Sequence, residues 1–152
     1  MIDLLTNPIL IYSAFAFACA QVLKILIHYL RTHKIDWHLL ISTGGMPSSH
    51  AAYVCSAATA VAFREGLNSS LFALSVVIAI IIMVDAAGLR RAAGNHATVL
   101  NQIIEELFQG HPISDEKLKE LLGHTPTQVF LGALLGVLCS LIGMLWFWNG
   151  QV

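Results

Sequence analysis

From Ser69 to Val84 the chain carries no charged residue, and three other stretches are nearly as apolar. A helix needs about 20 mostly apolar residues to cross a bilayer, where no water satisfies an exposed backbone group. That requirement admits helical bundles and rejects open sheets. The first stretch runs from Pro8 to about Leu30, with proline suited to a first helical turn. The second runs from about Ser48 to Phe63 and is short, so it begins within the membrane or lies at an angle. The third starts at Asn68 or Ser69 and reaches about Gly88. The fourth runs from about Thr127 to Trp148, where Trp146 and Trp148 are suited to an interface. Only 11% of residues are charged and 57% are hydrophobic, with a mean hydropathy of +0.73. Soluble domains carry about a quarter charged residues. The expected fold is all-α, an integral membrane helical bundle of about four transmembrane helices plus an amphipathic interfacial helix. Residues 1–152 form a single domain in this reading.

The net charge of −1 gives no reason to expect a nucleic-acid partner. Met1 to Pro8 has no basic run, so a cleaved signal peptide is not expected. Cys19, Cys55 and Cys139 lie in apolar runs and read as packing residues. Gly132, Gly136 and Ser140 recur every fourth residue, followed by Gly143. Such a face lets helices approach closely, either within the protomer or at a homo-oligomer seam. Between the third and fourth stretches, Asn95 to Gln109 places Val99, Leu100, Ile103, Ile104, Leu107 and Phe108 at helical spacing. This predicts an amphipathic helix at the interface or against the bundle. A short charged helix is expected over Ser114–Leu122.

Four crossings put the end of the first span, the start of the second, the end of the third and the start of the fourth at one membrane face. Lys24, Arg31, Lys34, Arg90, Arg91, Lys117 and Lys119 fall on that side, and only Arg64 on the other. The positive-inside rule makes the shared face cytoplasmic.

Three polar clusters gather there. Lys24 and Arg31 are seven apart, on nearly the same side of one helix. Lys24 sits among Val22, Leu23, Ile25 and Leu26, where a cation snorkels or finds an anion. Gly44-Gly45-Met46-Pro47-Ser48-Ser49-His50 is a glycine-rich turn leading into a helix start. Backbone N–H groups and the helix dipole favour an anion there, and Ser48 and Ser49 add hydroxyls. Capping alone explains one serine. The third cluster, Asp85 to His96, holds Arg90 and Arg91, whose guanidinium forks suit an oxyanion. Cations, a helix start and histidines together suit a phosphate. His28, His33 and His38 lie close in sequence, but no acidic cluster accompanies them and no metal is expected. His111 and His124 lie in the polar connection and read as solvated residues.

The order and spacing resemble the type-2 phosphatidic acid phosphatase superfamily, which includes vanadium haloperoxidases. Lys24 and Arg31 match its first motif, with Thr32 in place of proline. Pro47, Ser48 and His50 match the second, with Ser49 in the glycine place. Arg90 and His96 match the third, with Leu89 for serine and Leu100 for aspartate. Nearly the whole chain is closer still to the divergent bacterial and plant branch. Gly44 to His50, Asp85, Gly88 to Gly94 and the Leu100–Asn101 pair carry that likeness.

The resemblance implies hydrolysis of a lipid phosphate or pyrophosphate monoester without metal or cofactor, through a phosphohistidine. In it His96 is the nucleophile and His50 the general acid. Lys24, Arg31, Ser48, Ser49, Arg90 and Arg91 hold the phosphate. Asp85, eleven residues before His96, either stands in for the missing aspartate in orienting His96 or pairs with Lys24 or an arginine. The partner is then a phosphorylated lipid in the bilayer, and the location a bacterial inner membrane with the site on its cytoplasmic face. The competing reading is a non-catalytic phosphate- or lipid-binding membrane protein, since Leu100 cannot orient His96.

Overall fold

The computed structural model describes residues 6–40, 45–88, 96, 99–101, 103–104 and 124–147. The principal helices are α1 (Pro8–Thr32), α2 (Ser49–Glu65), α3 (Ser70–Ala87) and α4 (Pro126–Phe147), with a short 3-10 turn at Trp37–Leu40. There is no strand among the described residues. Each boundary follows from local chemistry. Asn7 accepts the Ile9 N–H at 2.9 Å ahead of Pro8, and Ser69 accepts the Phe72 N–H at 3.1 Å. Such caps satisfy backbone donors that a helix start leaves without partners. α1 ends at His33, whose left-handed φ of 54° lets its N–H reach the Tyr29 carbonyl at 2.7 Å. α2 ends at Gly66, where φ is +82°. Only residues 66–69 separate α2 from α3, so the two run antiparallel.

α1, α3 and α4 are each long and apolar enough to cross a membrane. α2 is the exception among the four expected spans. Its 17 residues make about 26 Å of helix, short of a hydrocarbon core of about 30 Å. α2 packs against all three of the others.

The core is made of small side chains. Ala16, Ala20, Ala51, Ala52, Ala60 and Ala86 are buried with Ser13, Ser48, Ser49, Ser56 and Ser140. Large apolar residues such as Phe15, Ile81, Leu145 and Trp146 face outward. Lipid tails solvate such a surface, and close packing of small residues holds the helices together. A Cβ on Gly132 would collide with the Ser48 carbonyl oxygen, and one on Gly136 with that of Ala52. A Cβ on Gly143 would lie 2.6 Å from the Tyr12 ring. The small-residue face therefore joins α4 to α2 and α1. The homo-oligomer seam through Gly132, Gly136 and Ser140 is corrected by this packing, because these residues are covered within the chain.

The described residues of the amphipathic segment are helical. Val99, Leu100, Ile103 and Ile104 are exposed while Asn101 is buried. The apolar face thus turns outward, as a lipid-facing helix requires, and not against the bundle. The predicted helix over Ser114–Leu122 lies outside the described residues.

Candidate functional site

Three contacts tie α1, α2, α3 and α4 together in one corner. Lys24 Nζ in α1 donates to Ser49 Oγ at the start of α2, at 3.2 Å. The Ser48 N–H donates to the Gln128 carbonyl in the first turn of α4, at 3.0 Å. The His124 N–H, just before α4, donates to the Ala86 carbonyl at the end of α3, at 3.1 Å.

Lys24 is only 2% exposed. It lies eight residues before the end of α1, about 12 Å down the helix. Gly45 closes over its stem. The Gly45 φ of +92° belongs to the region that favours glycine, and a Cβ there would touch Lys24 Cδ and Cγ at 3.6 and 3.7 Å. Ser49 accepts from Lys24, so its own hydroxyl hydrogen remains to be donated. Ser48 is fully buried and its Oγ accepts from the Ala51 N–H at 3.4 Å, so it is the helix cap. His50 follows in the first turn of α2. It edges a cleft of about 400 Å³, whose other lining residues are Ala14, Phe17, Tyr53, Val54 and Ile82.

His124 corrects the sequence reading. Far from being solvated, it is fully buried, with its ring centroid 6.3 Å from that of His50. Thr125 and Gln128 fix it there. Gln128 Oε1 accepts the Thr125 N–H at 3.0 Å, and Thr125 Oγ1 accepts the Gln128 N–H at 3.3 Å. This reciprocal pair is a capping box. The same Oε1 lies 3.3 Å from His124 Nδ1. The Thr-x-x-Gln spacing was the sequence signal available: it marks the start of α4 at the cation-rich end, with His124 one residue outside it.

Burial pushes the His124 imidazole below its ordinary pKa of 6.5. The Gln128 hydrogen bond opposes this, the charges of Lys24 and His50 reinforce it, and the Gly45 backbone opposes it. Above pH 6.5 the folded and unfolded forms both hold a neutral ring, and this contribution to stability is fully present. As pH falls, the unfolded chain takes up a proton that the folded site resists, and stability is lost until the folded pKa is passed. A His124→Asn variant is expected to show a flatter decline than wild type in thermal unfolding between about pH 7 and pH 5. Parallel curves would contradict this.

The other predicted residues are more scattered. Arg31 is exposed in the last turn of α1, two turns beyond the buried Lys24. Asp85 is half-buried in the last turn of α3. His96 is helical and exposed, and Leu100 faces outward. Gly44, Arg90 and Arg91 lie outside the described residues.

Residues 5–139 match the sequence profile of the Divergent PAP2 family. The chain belongs to this family. It is also 45% identical over 151 residues to a Bacillus subtilis (strain 168) protein described as uncharacterized membrane protein YuiD, covering 92% of this chain and 96% of that one. No solved structure matches. Membership bears out the resemblance drawn from the motifs and agrees with a membrane-embedded bundle.

Proposed function

We propose that this family member hydrolyses a membrane lipid that ends in a phosphate or pyrophosphate monoester. One observation carries the reading. A buried ammonium, Lys24, meets Ser49 at the start of α2 directly beside His50, on the rim of an apolar cleft. Lys24 and the Ser49 hydroxyl attract phosphate oxygens, and the dipole of α2 adds to their pull. Arg31, Ser48, Arg90 and Arg91 complete the phosphate-binding set implied by the motifs. His50 protonates the leaving alkoxide. The cleft accommodates the apolar part of the substrate, and the excess of cations at this end makes it the cytoplasmic one. The resemblance gives the nucleophile's part to His96, with Asp85 behind it.

The exposure of His96 and the outward Leu100 favour a second reading, a site that binds phosphate without turning it over. Phosphate release in proteoliposomes separates the two. Phosphatidic acid, phosphatidylglycerophosphate and a polyprenyl phosphate form the panel. Hydrolysis of at least one is expected, with kcat reduced by about 10²–10⁴ in His50→Ala. Vanadate binding without hydrolysis of any of them selects the non-catalytic reading.

A further inference from the structure

His124 and Gln128 stand four residues apart, the separation at which the superfamily's third motif sets its histidine and aspartate. At His96 that partner is replaced by Leu100. At His124 a partner is present and its polarity is fixed. Gln128 Oε1 accepts the Thr125 N–H, so this atom is the amide oxygen and the Nδ1 facing it must carry a proton. In the neutral ring Nε2 then bears a lone pair. That atom is buried and makes no well-formed hydrogen bond, although the Gly45 backbone lies within looser hydrogen-bonding reach of the ring. A buried imidazole nitrogen left without a well-formed hydrogen bond is costly in a folded protein. Here it belongs to a ring packed against His50 and within the electrostatic reach of Lys24.

The geometry points to His124, oriented by Gln128, as the histidine that accepts the phosphoryl group. This rests on the phosphatase reading above and reassigns its nucleophile. The Nε2 lone pair forms a bond to phosphorus as the bond from phosphorus to the lipid oxygen breaks. Protonated His50 gives its proton to that oxygen, releasing the lipid alcohol. Neutral His50 then takes a proton from water, whose oxygen attacks phosphorus. The nitrogen–phosphorus bond breaks, its electron pair returns to Nε2, and inorganic phosphate leaves. Gln128 is a positioning residue: it holds the Nδ1–H tautomer and so keeps Nε2 available.

The test is trapping with phosphatidic acid labelled in its phosphate, followed by an alkaline quench and peptide mapping of the full-length protein in proteoliposomes. The label is expected on His124, and His124→Gln should lower labelling by about a hundredfold or more. Gln128→Glu keeps the capping box and supplies a carboxylate behind the ring. It should stay folded and move the acid limb of the kcat/KM profile by about one pH unit, as a charged partner does and a purely structural residue does not. Label on His96, or an unshifted profile in a folded Gln128→Glu protein, overturns the assignment while leaving the phosphatase reading intact. Wild-type protein that releases phosphate from no lipid in the panel overturns both.

Discussion

Alanine at position 132 is expected to cost the protein stability and to disrupt the proposed phosphate site. The added Cβ would overlap the Ser48 carbonyl oxygen and lie 3.0 Å from the Ser48 carbonyl carbon and nitrogen. All three are backbone atoms, so no side chain can rotate aside. α4 must move away from the start of α2, which breaks the bond from the Ser48 N–H to Gln128. Overpacking plus that lost bond amounts to about 2–4 kcal/mol. Unfolding in mixed micelles measures it, and vanadate titration should show a large loss of affinity, because Ser49 and His50 travel with Ser48. Gly136→Ala is the control. It meets the Ala52 carbonyl one turn further from the site, so it should lose comparable stability with a smaller loss of vanadate binding. Equal vanadate affinities in wild type and Gly132→Ala would show that the close approach does not position the site.

Lys24→Met separates stability from function in the opposite way. Methionine keeps most of the stem that passes beneath Gly45 and removes the buried charge. Replacing a buried charged group with an apolar one of similar volume is often neutral or stabilising. The variant is therefore expected to unfold at the wild-type temperature or above it. Its affinity for vanadate should fall by about 10²-fold, as losing a charge-assisted hydrogen bond of some 2–3 kcal/mol implies. A variant that unfolds earlier yet binds vanadate normally would make Lys24 a structural cation and remove the main support for a phosphate site.

The helices and their shared end were legible because long apolar runs and misplaced cations have few explanations in a bilayer. Lys24 stood out among its aliphatic neighbours, and the turn at Gly45 and the start at Ser48 were readable from glycine and serine chemistry. What the sequence could not show was depth. Lys24 and Arg31 share one side of α1, but two turns of rise leave one buried and the other exposed. The small face of α4 had two uses that periodicity cannot separate, and only the approach to Ser48 and Ala52 decided between them. His124 was missed because a polar connection suggests water. Its burial depends on a bond to Ala86, 38 positions earlier, which local pattern cannot reveal. The outward apolar side of the segment around Val99 shows the same difficulty: spacing reveals a face, but not what it meets.

Lys24 lies well down α1, and the cleft beside His50 is lined almost wholly by hydrocarbon and aromatic rings. For the proposed lipid-phosphate hydrolysis, products formed at that depth would have two exits of opposite character. Inorganic phosphate can leave only toward water, and a lipid alcohol only sideways among acyl chains. Once apart they occupy different phases, and the reverse encounter would require both to return to one buried corner. In the proposed phosphatase, this architecture would make turnover effectively one-way by sorting the products.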